Sequence, residues 1–234
     1  LRKAGVEDER LHILGRMEEA SAALPHIESD RAALAQILAT RPVWLAADVA
    51  PEEEAAVIAA HRDVLRLAHR LLLILVPQDP ARSEALAARL EAEEGWHVAN
   101  RGRDEEPENE TEVYIMDRGA DYGLCYRLAP VTFLGGSLQG EGCGRNPMEA
   151  AAMGSAILYG PRAGNYAAAY ARLGAARAAR MVGSASDLSL ALGDLLAPDR
   201  AARQAQAAWM ITSEGAEVTA TVLQMARAIL DGTD

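Results

Sequence analysis

Val131-Thr132-Phe133-Leu134-Gly135-Gly136-Ser137-Leu138-Gln139-Gly140-Glu141-Gly142-Cys143-Gly144-Arg145-Asn146-Pro147-Met148-Glu149 is the stretch that decides how this chain is read. An apolar run from Pro130 to Leu134 predicts a strand. Asn146-Pro147 predicts a helix start, because proline at the first helical position gives up an N–H that has no intrahelical partner anyway. A strand, a glycine-rich turn and a helix in that order form one unit of an α/β sheet. Glycines in such a turn permit positive φ and close backbone approach, and a helix N-terminus offers free N–H groups to a phosphate. Gly135, Gly136 and Ser137 therefore read as a phosphate or diphosphate cradle, and they read equally well as a flexible surface loop. The stretch lacks the Gly-Lys-Ser/Thr of a nucleotide triphosphate loop. It is also not a Gly-x-Gly-x-x-Gly placed after the first strand, which argues against dinucleotide binding.

Glu149 lies three residues after Asn146, on the same helix face. A carboxylate there can accept hydrogen bonds from ribose hydroxyls, although acidic residues are also common in first turns because of the helix dipole. Downstream, Gly160-Pro161 leads through Gly164 to Asn165, a polar residue that fits a helix cap as readily as a ligand contact.

Outward from this unit the chain alternates short apolar runs with helical stretches. Leu71–Val76 is apolar throughout, as expected of a strand covered on both faces. Further strands are predicted at Leu11–Leu14, Val43–Ala47, Trp96–Ala99, Glu112–Met116, Ala156–Tyr159 and Ala178–Val182. Helices are predicted at Ser29–Ala39, with Ser29 or Asp30 as cap, at Pro51–Leu67, Ala81–Glu94, Asp121–Leu128 and Gly164–Leu173. Three more, Ala185–Leu196, Asp199–Met210 and Glu214–Leu230, close the chain. Strand–helix–strand repetition implies parallel pairing with right-handed crossovers, so the expected architecture is an open, doubly wound Rossmann-like sheet. In such sheets ligands bind beyond the carboxyl ends of the strands.

Composition narrows the function. The net charge of −11, from 23 basic and 34 acidic residues among 234, repels phosphate backbones and disfavours nucleic-acid binding. His12, His26, His61, His69 and His97 fall in no ligand spacing, so no metal is expected, and all five read as structural or solvated. Cys125 and Cys143 are far apart and suit a reduced compartment. No apolar run reaches membrane-spanning length. The chain starts with Leu, and we read it as a piece of something longer.

Taken together, Arg-Pro-Val-Trp-Leu-Ala-Ala (41–47), Leu-Leu-Leu-Ile-Leu-Val-Pro (71–77), Thr-Glu-Val-Tyr (111–114), Gly-Leu-Cys-Tyr-Arg-Leu-Ala (123–129), Phe-Leu-Gly-Gly-Ser-Leu (133–138), Asn-Pro-Met-Glu-Ala-Ala (146–151) and Gly-Pro (160–161) resemble the C-terminal half of the 3-deoxy-D-manno-octulosonic acid (Kdo) transferases. The resemblance runs from about residue 1 to 230. It implies the C-terminal half of a GT-B glycosyltransferase, with 1–28 as interdomain connection and first strand and 29–234 as the nucleotide-sugar-binding domain. It implies CMP-Kdo as donor, no further cofactor and no metal. A lipid A precursor, the general base and the contact with the cytoplasmic face of the bacterial inner membrane would all belong to an N-terminal domain absent here, so this piece alone should be inert. Carried over residue by residue, the nucleotide contacts are Gly135, Gly136, Ser137, Asn146, Glu149 and Asn165, with Arg145 standing where the family commonly has His.

Several polar positions depart from the family. Its Ser-Thr-His-Glu reads Asp48, Val49, Ala50, Pro51, and its Pro-Arg-His-Pro reads Pro77, Gln78, Asp79, Pro80. Its Gly-Glu-Leu reads Ala120, Asp121, Tyr122, and its connecting Asn-Leu-Lys reads Arg16, Met17, Glu18. The apolar scaffold survives while cations and hydroxyls are lost. Two alternatives follow from that pattern: a noncatalytic binding module of envelope synthesis, or a transferase using another nucleotide sugar.

Overall fold

A computed structural model describes residues 23–117 and 121–230; the strand expected at Leu11–Leu14 and the other expectations placed on 1–22, 118–120 and 231–234 lie outside them. Seven strands form one parallel sheet: β1 (Val43–Val49), β2 (Leu72–Pro77), β3 (His97–Asn100), β4 (Thr111–Ile115), β5 (Val131–Leu134), β6 (Ala156–Tyr159) and β7 (Ala179–Met181). Their order is β3-β4-β2-β1-β5-β6-β7. From β1 the chain builds outward on one side, then crosses back to place β5 on the other flank of β1. The winding reverses between β1 and β5, where Trp44 pairs with Val131 and Ala47 with Leu134. Such a reversal opens a crevice at the carboxyl ends.

Side-chain alternation along the strands splits the core in two. Trp44, Ala46, Leu73, Leu75, Val113, Ile115 and Phe133 face one layer of helices, α2 (Glu54–Leu65), α3 (Ser83–Glu94) and α7 (Ala185–Leu195). Leu45, Ala47, Leu72, Ile74, Tyr114 and Leu134 face the other layer, α1 (Glu28–Leu38), α4 (Tyr122–Leu128), α5 (Pro147–Ala152), α6 (Ala167–Ala175) and α8 (Pro198–Leu230) through Ala208. Both sides of β2 are buried, as its uninterrupted apolar run predicts.

Two expectations change, and a reading left open at His61 is decided. The last two helices are one, α8, which runs 33 residues without a break. The hydroxyls of Thr212 and Ser213 donate back to the carbonyl of Trp209 at 2.7 and 3.0 Å, so this polar stretch stays inside the helix instead of capping a new one. Neither Ser29 nor Asp30 caps α1; both lie within it, and the N-cap position is Ile27. Of the two readings open for His61, structural or solvated, the structural one holds. The residue is 0 % exposed on the inner face of α2, where its Nδ1 accepts from the Trp44 indole at 3.2 Å and its Nε2 lies 3.1 Å from the Glu112 carbonyl. Only a neutral ring with the proton on Nε2 satisfies both contacts, and burial pushes its pKa down to about 3.

Candidate functional site

The crevice at the β1/β5 reversal is built by the loops that follow β1, β2 and β5. Asp48, the penultimate residue of β1, is a non-glycine residue with φ of +57°. Its carboxylate lies over Gly144, where any side chain would strike Oδ2. Gln78, from the end of β2, and Tyr122, at the start of α4, face the same carboxylate. Burial raises the Asp48 pKa; Arg145, Tyr122 and Gln78 oppose that shift, and the nearby Glu53 adds to it.

Gly135 leaves β5 through an N–H donated to the Ala47 carbonyl at 2.7 Å. A Cβ at Gly135 would sit 2.7 Å from the Val49 Cα, so the loop lies flat against the end of β1 and no other residue fits. Gly136 has φ of +71°, which turns the loop back over the sheet. Ser137 is buried; its hydroxyl donates to the Leu134 carbonyl at 2.5 Å and accepts from the Gly160 N–H at 2.7 Å. The Gly136 N–H donates to Glu53 Oε2 at 2.5 Å, the Gln139 N–H to Glu53 Oε1 at 2.9 Å, and the Leu138 N–H also meets Oε1. The Gly135 and Gly136 N–H groups and the Ser137 hydroxyl, at the residues that the sequence reads as a phosphate cradle, are therefore engaged within the protein. Arg162 clips the far side of the loop through the carbonyls of Gln139 and Gly140 at 2.9 and 2.7 Å.

Arg145 and Glu149 do come together. They form an i,i+4 ion pair through Nη2 and Oε2, with side chains 26 % and 18 % exposed. The guanidinium stacks 3.9 Å over the Tyr122 ring. Burial works against the charge of Arg145, but Glu149, Tyr126 and Tyr122 outweigh it and hold the group firmly cationic. Asn146 caps α5, its Oδ1 accepting from the Met148 N–H at 3.0 Å. Asn165 is exposed on the short turn Gly164–Tyr166, and Gly164 packs against Gly142 and Cys143. Cys143 and Cys125 are buried free thiols; Cys143 lies 3.0 Å from the Tyr170 hydroxyl, and burial raises its pKa.

A groove of about 660 Å³ opens beside Arg145, between the segment Leu24–Ile27 and the start of α4 at Asp121 and Tyr122. A second cavity of about 560 Å³ lies at the other end of the sheet, under Pro42, Val131, Leu196 and Ala201. Its lining is apolar, and its one guanidinium, that of Arg41, already donates to the carbonyls of Arg70, Glu108 and Thr111. It offers nothing to a nucleotide, whereas the groove combines the Arg145 cation, the Asp121 carboxylate and the Tyr122 ring. Among the described residues no cluster of histidine, cysteine and acidic side chains could hold a metal ion, and no helix is long and apolar enough to cross a membrane.

The sequence aligns with a 3-deoxy-D-manno-octulosonic acid transferase of Haemophilus influenzae at 32% identity over 126 residues, 54% of this chain and 29% of the relative. A probable mitochondrial counterpart from Arabidopsis thaliana is 30% identical over 55% of this chain and 29% of its own length. The Rickettsia bellii enzyme is 28% identical over 63% and 35%. This chain is a relative of the 3-deoxy-D-manno-octulosonic acid transferases. It spans about a third of the length of the curated relatives it matches. No protein-family profile matches it. In three dimensions it is similar to the C-terminal CMP-Kdo binding domain of WaaA from Acinetobacter baumannii, with a TM-score of 0.67, 23% identity, and coverage of 82% of this chain and 96% of that one. It is also similar to WaaG, a glycosyltransferase involved in lipopolysaccharide biosynthesis, with a TM-score of 0.55 and 18% identity over 89% of this chain and 54% of that one. The fold is a Rossmann-like doubly wound parallel sheet, similar to that of the C-terminal half of GT-B glycosyltransferases.

Two groups at the crevice were not singled out from sequence as contributors to it. Glu53 belongs to a run of four acidic or proline residues that reads as dipole-favoured first-turn chemistry, and its partners lie 83 to 86 residues away. The sequence marks Tyr122 only as a departure from the family's Gly-Glu-Leu; its position beside Arg145 depends on how α4 and α5 pack.

Proposed function

We propose that this chain is the donor-nucleotide domain of a Kdo-transferase-like glycosyltransferase, taking CMP-Kdo as donor for transfer to a lipid A precursor in lipopolysaccharide synthesis. The observation that carries the reading is the Arg145–Glu149 pair, set over Tyr122 at the point where the strand order reverses. On this reading Arg145 leaves Glu149 to meet the phosphate of CMP, as a guanidinium binds phosphate oxygens with charge-assisted hydrogen bonds. Glu149 then accepts from the ribose hydroxyls. Asn146 holds α5 in register for both, and Asn165 borders the loop on the far side. The relatives' printed activity and the WaaA domain's CMP-Kdo binding support the choice of CMP over other nucleotides. The acceptor and the general base are assigned to parts of the relatives outside the aligned stretch, and so is any membrane contact.

The test is calorimetric titration with CMP, UDP and CDP up to millimolar ligand. Selective CMP binding that Glu149→Ala abolishes is the expected result. Equal or absent binding of all three rejects CMP as the donor nucleotide. One observation favours the noncatalytic alternative: Asp48 places a second carboxylate next to Arg145, and Glu53 a third close by. If no nucleotide binds, that acidity is the reason, and the chain is a GT-B-like module that has lost its ligand.

A further inference from the structure

Glu53 is 0 % exposed. It ends the short turn Pro51–Glu53 that follows β1, and its carboxylate points into the glycine-rich loop. Its neighbour Glu54 is paired with Arg82 and Arg89, whereas the partners of Glu53 are backbone N–H groups. Oε2 takes that of Gly136, and Oε1 takes those of Leu138 and Gln139. Successive N–H groups converging on one point make a concavity that binds anions. In this protein the anion is a side chain of the same chain.

We infer that Glu53 is the built-in anion of this loop and a positioning residue for the site: it closes the Gly136–Gln139 nest to phosphate and thereby fixes the segment that carries Arg145. The connection is short. The Gly142 N–H donates to the Gly136 carbonyl at 2.9 Å, so the loop closes on itself at the residue that Glu53 holds. Cys143 then hangs from the Arg162 carbonyl at 3.1 Å, and Arg145 follows two residues later. A loop released from Glu53 would let Gly142–Arg145 drift, and Arg145 would no longer be held over Tyr122. The phosphate of a bound nucleotide thus falls to Arg145 and not to the glycine-rich loop. This last step rests on the donor-domain reading above; the role of Glu53 in the loop does not.

The experiment uses the full chain, with Glu53→Gln and Glu53→Ala. Glutamine keeps one acceptor but turns an N–H₂ toward a backbone donor. Amide proton NMR shifts of Gly136, Leu138 and Gln139 are expected downfield in the parent protein, moving upfield in both variants. Formate should restore them in Glu53→Ala by filling the vacated nest, and should leave the parent unchanged. CMP binding should weaken about tenfold or more in Glu53→Gln and recover in Glu53→Ala with formate. Unchanged amide shifts in Glu53→Gln, or inorganic phosphate moving those three amides in the parent protein, would overturn the inference. Parent-like CMP affinity in Glu53→Gln would remove its positioning role. If the parent binds no CMP, the donor-domain reading fails, and the amide shifts with formate still decide whether Glu53 fills the nest. If Glu53→Ala does not fold, the glutamine variant decides alone.

Discussion

Acid should unfold this protein partly through one histidine. His61 packs edge-on to Trp96 at 4.9 Å between ring centroids, accepts from Trp44 and meets the Glu112 carbonyl. A proton on Nδ1 would face the Trp44 N–H with no acceptor, so the folded state holds the ring neutral down to about pH 3, against 6.5 for a free histidine. Between those values the unfolded chain binds a proton that the folded chain does not, so stability falls as pH falls through that window. From pH 7 to 4.5 the loss from this group is about 2.5 kcal/mol, a large share of a typical domain's stability. Glutamine at this position can accept from Trp44 and donate to Glu112 but does not titrate. Urea unfolding of the parent and of His61→Gln at pH 7 and 4.5 therefore gives two pH dependences, and their difference isolates His61, since carboxylates common to both chains cancel. The parent should lose about 2.5 kcal/mol more than the variant. Parallel losses in the two proteins would refute the assignment of His61 as a buried neutral base.

Arg145→Ala should weaken CMP binding by about ten- to a hundredfold, the loss of one charge-assisted contact, as read by titration; unchanged affinity removes Arg145 from the site. Gly135→Ala places a Cβ 2.7 Å from the Val49 Cα, backbone that cannot yield locally, so its melting temperature should drop by roughly 10 °C or more, on the order of 2–3 kcal/mol. Asp48→Asn should raise the melting temperature at pH 7. Burial raises the Asp48 pKa in the folded state, so its ionised form opposes folding above the usual aspartate range, while asparagine tolerates the left-handed backbone equally well. The same substitution should tighten CMP binding, because it removes a negative charge beside Arg145.

The sheet was legible because its strands are short apolar runs bounded by glycine and proline: Leu71–Val76 and Val43–Ala47 lie within one or two residues of β2 and β1. The alternation of strands and helices implied a doubly wound sheet with its site beyond the carboxyl ends of the strands; that β1 and β5 flank the reversal came only from the structure. The long C-terminal helix was misread at Thr212-Ser213-Glu214-Gly215 because polar residues and a glycine signal a break. Local hydroxyl-to-carbonyl bonds and an alanine-rich context carry the helix through, since one internal glycine costs only about 1 kcal/mol. His61 could have been found, for Val57, Ala60, His61 and Val64 share one helical face and the other three are apolar. Glu53 could not: nothing local separates it from Glu52 or Glu54, and only the return of the chain at Gly136–Gln139 gives it partners. The same long-range closure turned Gly135, Gly136 and Ser137 into the internal frame of the crevice, while Arg145 lines the groove beside Tyr122 and pairs with Glu149.

The central claim is that a cytidine nucleotide sits at Arg145 and Glu149, beyond the carboxyl ends of β1 and β5. Mapping backbone amide shifts during a CMP titration tests it directly. The largest changes should fall on Tyr122, on Gly144–Glu149 and on Gln78, with Gly136, Leu138 and Gln139 nearly still. Changes centred on Val43, Val131 and Ala201 at the opposite end of the sheet, or no changes at saturating CMP, would contradict it.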